Sequence, residues 1–292
     1  MTVALVEAWT AARDRLKAAG VDSPVMDARI LVEAATGTTR ADIITDPRRI
    51  LTPEQLEAVE AFVARREQRE PIAHILGRKG FWTVMLKVTP DVLTPRPDTE
   101  LLVTTALEAF PESARFTVLD LGVGSGAVML AILADRPGAK GLGVDVSEDA
   151  LAVARDNAAS LGLGGRAAFL RSDWTAGLDQ DGFDLVVSNP PYVATAVIDT
   201  LEPEVRDHEP RVALDGGPDG LDAYRRLAPE ILRVLKPGGP FAVEIGYDQG
   251  KAVTALFEAA GAGPVRVLKD LAGHDRVVAG SKKPLGIQAD SG

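Results

Sequence analysis

The chain has no cysteine among its 292 residues and only three histidines, His74, His208 and His274. The lack of thiols excludes disulfides and thiolate metal sites and fits a reducing compartment. The histidines are far apart in sequence, so no metal centre is expected. No apolar run approaches the ~20 residues of a membrane span. The amino terminus carries Glu7 and Asp14 with no basic stretch, so a signal peptide is not expected. The reading is a cytoplasmic protein without a membrane partner.

A strongly basic region is also missing. Residues 1–87 hold 13 basic and 12 acidic residues, and the remainder holds 19 and 30. Gripping duplex nucleic acid draws much of its affinity from neutralised phosphates. The acidic balance after residue 87 therefore argues against a nucleic-acid partner. Hydrophobic residues make up 46% of the chain, enough for one large domain and a small one.

What is present begins with helical periodicity over 2–19 and 25–36, broken at Gly20 and Gly37. Thr52-Pro53-Glu54-Gln55 opens a further helix: Thr52 caps, Pro53 suits the first helical position and Gln55 completes a capping box. It runs to about Glu70, ahead of Pro71, and carries Arg65, Arg66 and Arg69 as a solvated face or a partner-binding strip. Phe81 to Thr89 reads as a strand or hairpin. Residues 1–78 form a helical domain on this reading, 79–94 a β-hairpin linker, 95–280 an α/β domain and 281–292 a loose tail.

Thr94-Pro95-Arg96-Pro97-Asp98-Thr99-Glu100 follows the linker. Prolines on both sides stiffen the turn around Arg96, which either aims it at a site or begins a helix with acids at its amino end. Phe116 to Leu121 is a buried-strand pattern running into Asp120-Leu121-Gly122-Val123-Gly124-Ser125-Gly126. Alternating glycines let a ligand approach the backbone closely. A second strand ends at Asp145, about 20 residues on, where an acid takes ribose hydroxyls. Gly122, Gly124 and Ala127 also fit a dinucleotide fingerprint, which keeps a nicotinamide dehydrogenase in view. Against it, the isolated histidines offer no hydride-handling set, and Asp120 would repel a pyrophosphate. S-adenosylmethionine, with its sulfonium and ammonium, suits these acids better. Further on, Asp173 and Trp174 leave a strand over 167–171 and can hold an adenine, or the indole simply packs at the sheet edge.

Phe183 to Ser188 reads as another buried strand, stopped by Asn189-Pro190-Pro191-Tyr192. Neither proline donates to a ladder, and each favours extended backbone before it. The product is a stiff loop at a strand's carboxyl end, where open α/β sheets bind ligands. An amide and a backbone carbonyl fixed there form a receptor for a planar NH2 group. A long polar segment to Gly220 follows, then a helix over 221–235, a strand over 241–245, a helix over 250–260 and strands near 264–268 and 274–279.

From about Pro71 to Gly280 the chain resembles the peptide chain release factor glutamine methyltransferases. The resemblance is carried by Pro71-Ile72-Ala73-His74-Ile75-Leu76-Gly77, Thr94 to Glu100, Asp120 to Gly126, Ser188 to Tyr192, Asp215 to Leu221 and Glu244-Ile245-Gly246. Departures are Thr94 for a larger aliphatic, Asp98 for Glu and Val123 for Thr. The resemblance implies a Rossmann-like class I S-adenosylmethionine-dependent methyltransferase fold, with residues 1–78 recognising substrate. It places the cofactor over Asp120, Gly122, Val123, Gly124, Ser125 and Gly126, with Asp145 on the ribose, Asp173 and Trp174 near the adenine, and Asn189 touching it as well. The substrate it implies is the Gln of the Gly-Gly-Gln loop of class 1 peptide chain release factors. Asn189, Pro190, Pro191, Tyr192 and Arg96 would meet that Gln, in a protein expected to act as a monomer. A ribosomal-protein glutamine or a nucleic acid as methyl acceptor is the rival reading, and a non-catalytic binding protein is another.

Overall fold

The chain folds into two units, described here for residues 2–284 of a computed structural model. One unit comprises the residues up to Arg78 together with Glu202–His208. The other comprises Lys79–Leu201 and the chain from Glu209 onward.

The first unit contains α1 (Leu5–Ala18), α2 (Pro24–Thr36), α3 (Arg40–Thr45), α4 (Pro53–Glu67) and α5 (Ile72–Leu76). Thr52 accepts from the Gln55 amide while Gln55 reaches back to the Thr52 N–H, so α4 starts on the capping box its sequence spells. Leu5, Leu16, Leu31, Val32, Val59 and Val63 from α1, α2 and α4 form one apolar core. Helices α3 and α5 have six and five residues, too few for an apolar period to be legible. The arginines of α4 are not a plain solvated face. Arg66 is 6% exposed, with Nε on Asp27 at 2.8 Å and Nη2 on Glu204 at 2.7 Å.

The second unit opens with the hairpin β1 (Arg78–Phe81) and β2 (Val84–Lys87). It continues through α6 (Glu100–Glu108), β3 (Thr117–Leu121), α7 (Ala127–Asp135), β4 (Lys140–Asp145), α8 (Glu148–Ser160), β5 (Ala167–Arg171) and β6 (Leu185–Ser188). Next come α9 (Thr195–Ile198) and α10 (Pro203–Arg206), the latter inside the stretch that belongs to the first unit. The remainder is α11 (Asp222–Val234), β7 (Pro240–Glu244), α12 (Gly250–Ala259), β8 (Arg266–Lys269) and β9 (Asp275–Ser281). Seven strands form one sheet in the order β5-β4-β3-β6-β7-β9-β8. Pairings from β5 to β7 are parallel, and β9 runs antiparallel to both β7 and β8.

Successive strand residues point to opposite faces, and both faces are covered. Val118, Leu185, Val187 and Ala242 share one core with Leu102, Val103, Met129, Leu130 and Leu151 from α6, α7 and α8. Leu119, Val186, Phe241 and Val243 share the other with Tyr224, Leu227, Ile231, Val253 and Phe257 from α11 and α12. Burial on both sides explains why these strands read as continuous apolar runs rather than alternating ones. Beyond the expected end of the sheet, Ser281 still belongs to β9 and Lys282 bridges to Ala262. The rest of the expected tail, 285–292, lies outside the described residues. Among the described residues no helix is long and apolar enough to cross a membrane.

Candidate active site

The strand order reverses between β3 and β6, which flank each other in the centre of the sheet. A cavity of about 610 Å³ opens there, beyond the carboxyl ends of β3, β4 and β6, where parallel sheets bind ligands. Its size is that of a small-molecule site.

The loop after β3 makes one wall. Gly122 and Gly124 have φ of 74° and 51°, a left-handed conformation that glycine takes without a steric cost. A Cβ on Gly122 would lie in ordinary contact with the Trp174 ring at 3.7 Å and the Asn189 carbonyl at 3.9 Å, which sets this glycine beside both. Val123 and Ser125 also line the cavity. Gly126 does not. It starts α7 at φ 84°, packed so closely that a Cβ would lie 2.8 Å from Leu130 Cδ1.

Asp145 ends β4 with each carboxylate oxygen engaged once, Oδ2 by the Gly124 N–H and Oδ1 by the Ser147 N–H, both at 3.0 Å. Each oxygen keeps a lone pair for a diol. Asp120, 2% exposed, accepts from the Met129 N–H at 3.1 Å. Burial pushes its carboxyl up to about 7, the Met129 bond opposes this and the charge of Asp145 adds to it. A buried acid with no cationic neighbour that lowers it is a place where a ligand's positive charge is welcome. Trp174 adopts φ 53°, rare for a large side chain, and its ring joins the wall. Asp173 lines the cavity too, but its carboxylate pairs with Arg226 at 3.1 Å. These features suit S-adenosylmethionine: acids for cationic groups, a diol acceptor and an aromatic plate. Among the described residues no group of three or more His, Cys, Asp or Glu is placed to hold a metal ion.

Asn189, Pro191 and Arg96 line the same cavity. Arg96 donates to Glu209 at 2.7 Å. Burial pushes the Glu209 carboxyl up, and Arg96 and Thr94 oppose it. Pro190 and Tyr192 stand behind the wall rather than in it. Pro190 is buried. The Tyr192 ring packs against the core that contains Tyr224 and Phe257, and its hydroxyl donates to Glu244 Oε1 at 3.3 Å. Burial and the Glu244 charge hold the Tyr192 hydroxyl well above its ordinary range.

Three supporting residues escape a reading by motif. Thr99 lines the cavity and accepts from Asn189 Nδ2 at 3.3 Å. Glu244, the last residue of β7, is 1% exposed. Burial pushes it up to about 7, against the neighbouring Thr99 hydroxyl and the charge of Arg276. Gln249 bonds the carbonyls of Tyr192 and Gly220 and the N–H of Gly246. Thr99 and Glu244 fall inside the resembling segments without any sign of their bonds to Asn189 and Tyr192, and nothing local marks Gln249. The polar segment after Tyr192 also supplies wall: Pro210, Arg211, Val212 and Ala213 line the cavity.

Two family models match the chain, a PrmC N-terminal domain over residues 7–77 and a methyltransferase domain over 112–269. A release factor glutamine methyltransferase of Caulobacter vibrioides is 66% identical over 285 residues, covering 98% of this chain and 99% of its own. One of the same name from Rhodospirillum rubrum is 47% identical, covering 93% and 83%. Among solved structures, a methyltransferase from Pyrococcus furiosus aligns with a TM-score of 0.51 at 19% identity, over 68% of this chain and 88% of that one. That likeness extends to the fold alone, whereas the near-full-length identity goes further. The chain belongs to the release factor glutamine methyltransferase family, whose methyl donor is S-adenosylmethionine.

Proposed function

We propose that this protein methylates the side-chain amide nitrogen of the Gln in the Gly-Gly-Gln loop of class 1 peptide chain release factors, and so modulates translation termination. The observation that carries the reading is that Asn189 and Pro191 line the same cavity as Asp145 and the Gly122 loop. Nothing in that arrangement calls for a base or a metal.

An amide nitrogen is a weak nucleophile because its lone pair is delocalised, a resonance of roughly 18–20 kcal/mol if lost entirely. The site need not remove all of it. The Asn189 side-chain oxygen accepts one amide hydrogen, and the carbonyl joining Pro190 to Pro191 accepts the second. Held so, the nitrogen points across the cavity, and positioning of this kind is worth about 7–11 kcal/mol. S-adenosylmethionine supplies an electrophilic methyl: the N–CH3 bond forms as the S–CH3 bond breaks, and sulfur keeps the electron pair. Asn189 is no base, and none is needed, because the nitrogen sheds its proton after methylation has made it cationic. Tyr192 acts from behind the wall, through Glu244, rather than by covering the amide. Asp145 takes the ribose, Trp174 the adenine face and Asp120 the positive charge of the donor. Arg96 lies at the substrate side.

The helical residues 1–78 are assigned to recognition of the release factor. The protein is read as a cytoplasmic monomer acting without nucleic acid. The lack of cysteine and the acidic balance after residue 87 support the compartment and the absence of nucleic acid. The deciding experiment is transfer of labelled methyl from S-adenosylmethionine to a purified class 1 release factor, beside the same factor with its loop Gln changed to Ala. Label on the first alone is the expected result. Label on neither, with donor still bound, moves the acceptor to a ribosomal protein or nucleic acid. Asn189→Ala is expected to keep donor affinity and lower turnover on the order of a hundredfold.

A further inference from the structure

An asparagine amide whose nitrogen gives two hydrogen bonds and whose oxygen takes one has a single workable orientation. Asn157, on α8 and 1% exposed, is such a group. Its Oδ1 accepts from the Lys87 N–H at 2.7 Å, while Nδ2 donates to the Lys87 carbonyl at 3.1 Å and to the Ser125 carbonyl at 2.9 Å. Turned over, the amide would set its oxygen against two carbonyls and its NH2 against an N–H. We propose that Asn157 is a positioning residue for donor binding, fixing the second half of the loop over 122–126 and linking its order to that of β2. The inference rests on the reading that this loop receives S-adenosylmethionine, and not on the identity of the methyl acceptor.

The loop needs an outside anchor. Gly122, Gly124 and Gly126 all have positive φ, and glycines bring little conformational preference of their own. The first half of the loop is held from β4. The Gly122 and Val123 N–H groups donate to the Val144 carbonyl at 2.8 and 2.9 Å, and the Gly124 N–H donates to Asp145. The second half turns into α7 through Ser125, which is buried and lines the cavity. Asn157 takes hold of it there, by its carbonyl. Asn157 itself does not line the cavity, so its influence on a ligand passes through Ser125.

The other two bonds of the amide reach Lys87, the last residue of β2. They engage the N–H and the carbonyl of one residue, as a neighbouring strand would. A few residues on, Asp91, Val92 and Leu93 line the same cavity as Ser125. One buried amide therefore ties the donor loop to the strand that leads into another part of the cavity lining. Coupling of this kind is reciprocal: a donor that orders the loop steadies Lys87, and loosening Lys87 weakens the hold on the donor. Beside it lies a contact that serves as a control. Lys87 Nζ pairs with Asp156 at 2.7 Å, joining β2 to α8 without reaching the loop.

The test is calorimetric titration with S-adenosylmethionine alone, together with hydrogen exchange of the Lys87 amide with and without that donor. Asn157→Leu keeps most of the volume and removes all three bonds. Its Kd for the donor is expected to rise at least about tenfold, within the usual range of coupling between sites. Saturating donor should slow exchange at Lys87 in the wild type and leave it unchanged in Asn157→Leu. Asp156→Ala is expected to keep both the wild-type affinity and the donor-dependent protection. A lower melting temperature in Asn157→Leu with an unchanged Kd would make the residue a packing group and overturn the proposal. An equal loss of affinity in Asp156→Ala would overturn it too, since the contact of β2 with α8 would then suffice. Asp145→Ala separates the two readings. If it weakens the donor while Asn157→Leu does not, the proposal falls and the donor site stands; if neither does, both fall. Asn157→Ala replaces Asn157→Leu should the latter fail to fold.

Discussion

Gln249 Nε2 donates to the carbonyl of Tyr192 at 3.0 Å and to that of Gly220 at 3.1 Å, while its Oε1 accepts from the Gly246 N–H at 2.9 Å. One buried side chain thus joins the exit of the Asn-Pro-Pro-Tyr turn, the Gly220 turn ahead of α11 and the turn after β7. Gln249→Met keeps the length and removes all three bonds. A buried backbone group left unpaired costs about 1–3 kcal/mol. The expected outcome is a stability loss of at least about 2 kcal/mol with turnover down roughly tenfold. Donor affinity should hold, because Gln249 is not part of the cavity wall. Thermal denaturation and calorimetric titration with S-adenosylmethionine read the two effects separately.

Gly220 sits against the same turn. It adopts φ 75°, and a Cβ there would lie 2.4 Å from the Tyr192 oxygen and 2.7 Å from Gln249 Nε2. Neither neighbour can yield without moving the turn, so Gly220→Ala is expected to cut kcat more than tenfold. Gly164→Ala is the control, since nothing lies within 4 Å of its added methyl. Methylation assays on both variants check this, and equal activity would refute the close approach.

The sheet and the cavity floor were legible because their signals are local. Apolar β-branched runs gave the strands, and the paired glycines with Asp145 and the double proline after Asn189 marked the strand ends that converge. The supports of the site were not legible, since their partners are distant in sequence. Thr99 meets Asn189 across 90 residues, and Tyr192 meets Glu244 across 52. Tyr192 illustrates the difference. Its place in the tetrapeptide points to the substrate, but burial of its ring in the core turns the hydroxyl to Glu244 instead. Arg66 reads as solvated on helical spacing alone, and only the fold reveals Asp27 and Glu204 around it.

Asp120 gives the molecule a pH dependence with a definite sign. Burial raises its carboxyl from 3.8 to about 7. A raised acid contributes stability that is present below its ordinary range and lost as pH rises through about 7. Asp120→Asn keeps an acceptor for the Met129 N–H and removes the titration. Between pH 5 and 8, the melting temperature of the wild type should therefore fall relative to that of the variant. Donor binding should run the opposite way. Wild-type affinity for the cationic donor rises through about pH 7, while the variant binds more weakly and without that rise. Calorimetry across this range checks both, and parallel curves for the two proteins would exclude the assignment.

Glu204 tests the helical unit. It accepts from Arg66 Nη2, Arg69 Nε and Arg69 Nη2, all at 2.7 Å. Desolvation alone would raise its carboxyl, but the bonds from Arg69 and Arg66 outweigh it and the carboxyl stays below its ordinary range. Removing one partner of a buried pair leaves the other charged and unsolvated, at a cost of about 3–5 kcal/mol. Here Asp27 still holds Arg66, so the loss in Glu204→Gln should be smaller, on the order of 2–3 kcal/mol. A lowered acid contributes stability above its ordinary range and loses it as pH falls. The gap between wild type and variant should thus be full at pH 7 and shrink as the pH drops below 4. Hydrogen exchange should also quicken over Glu202–His208 in the variant, because that stretch belongs to the helical unit and Glu204 makes three of its bonds there. An unchanged exchange rate there would mean that other contacts hold it.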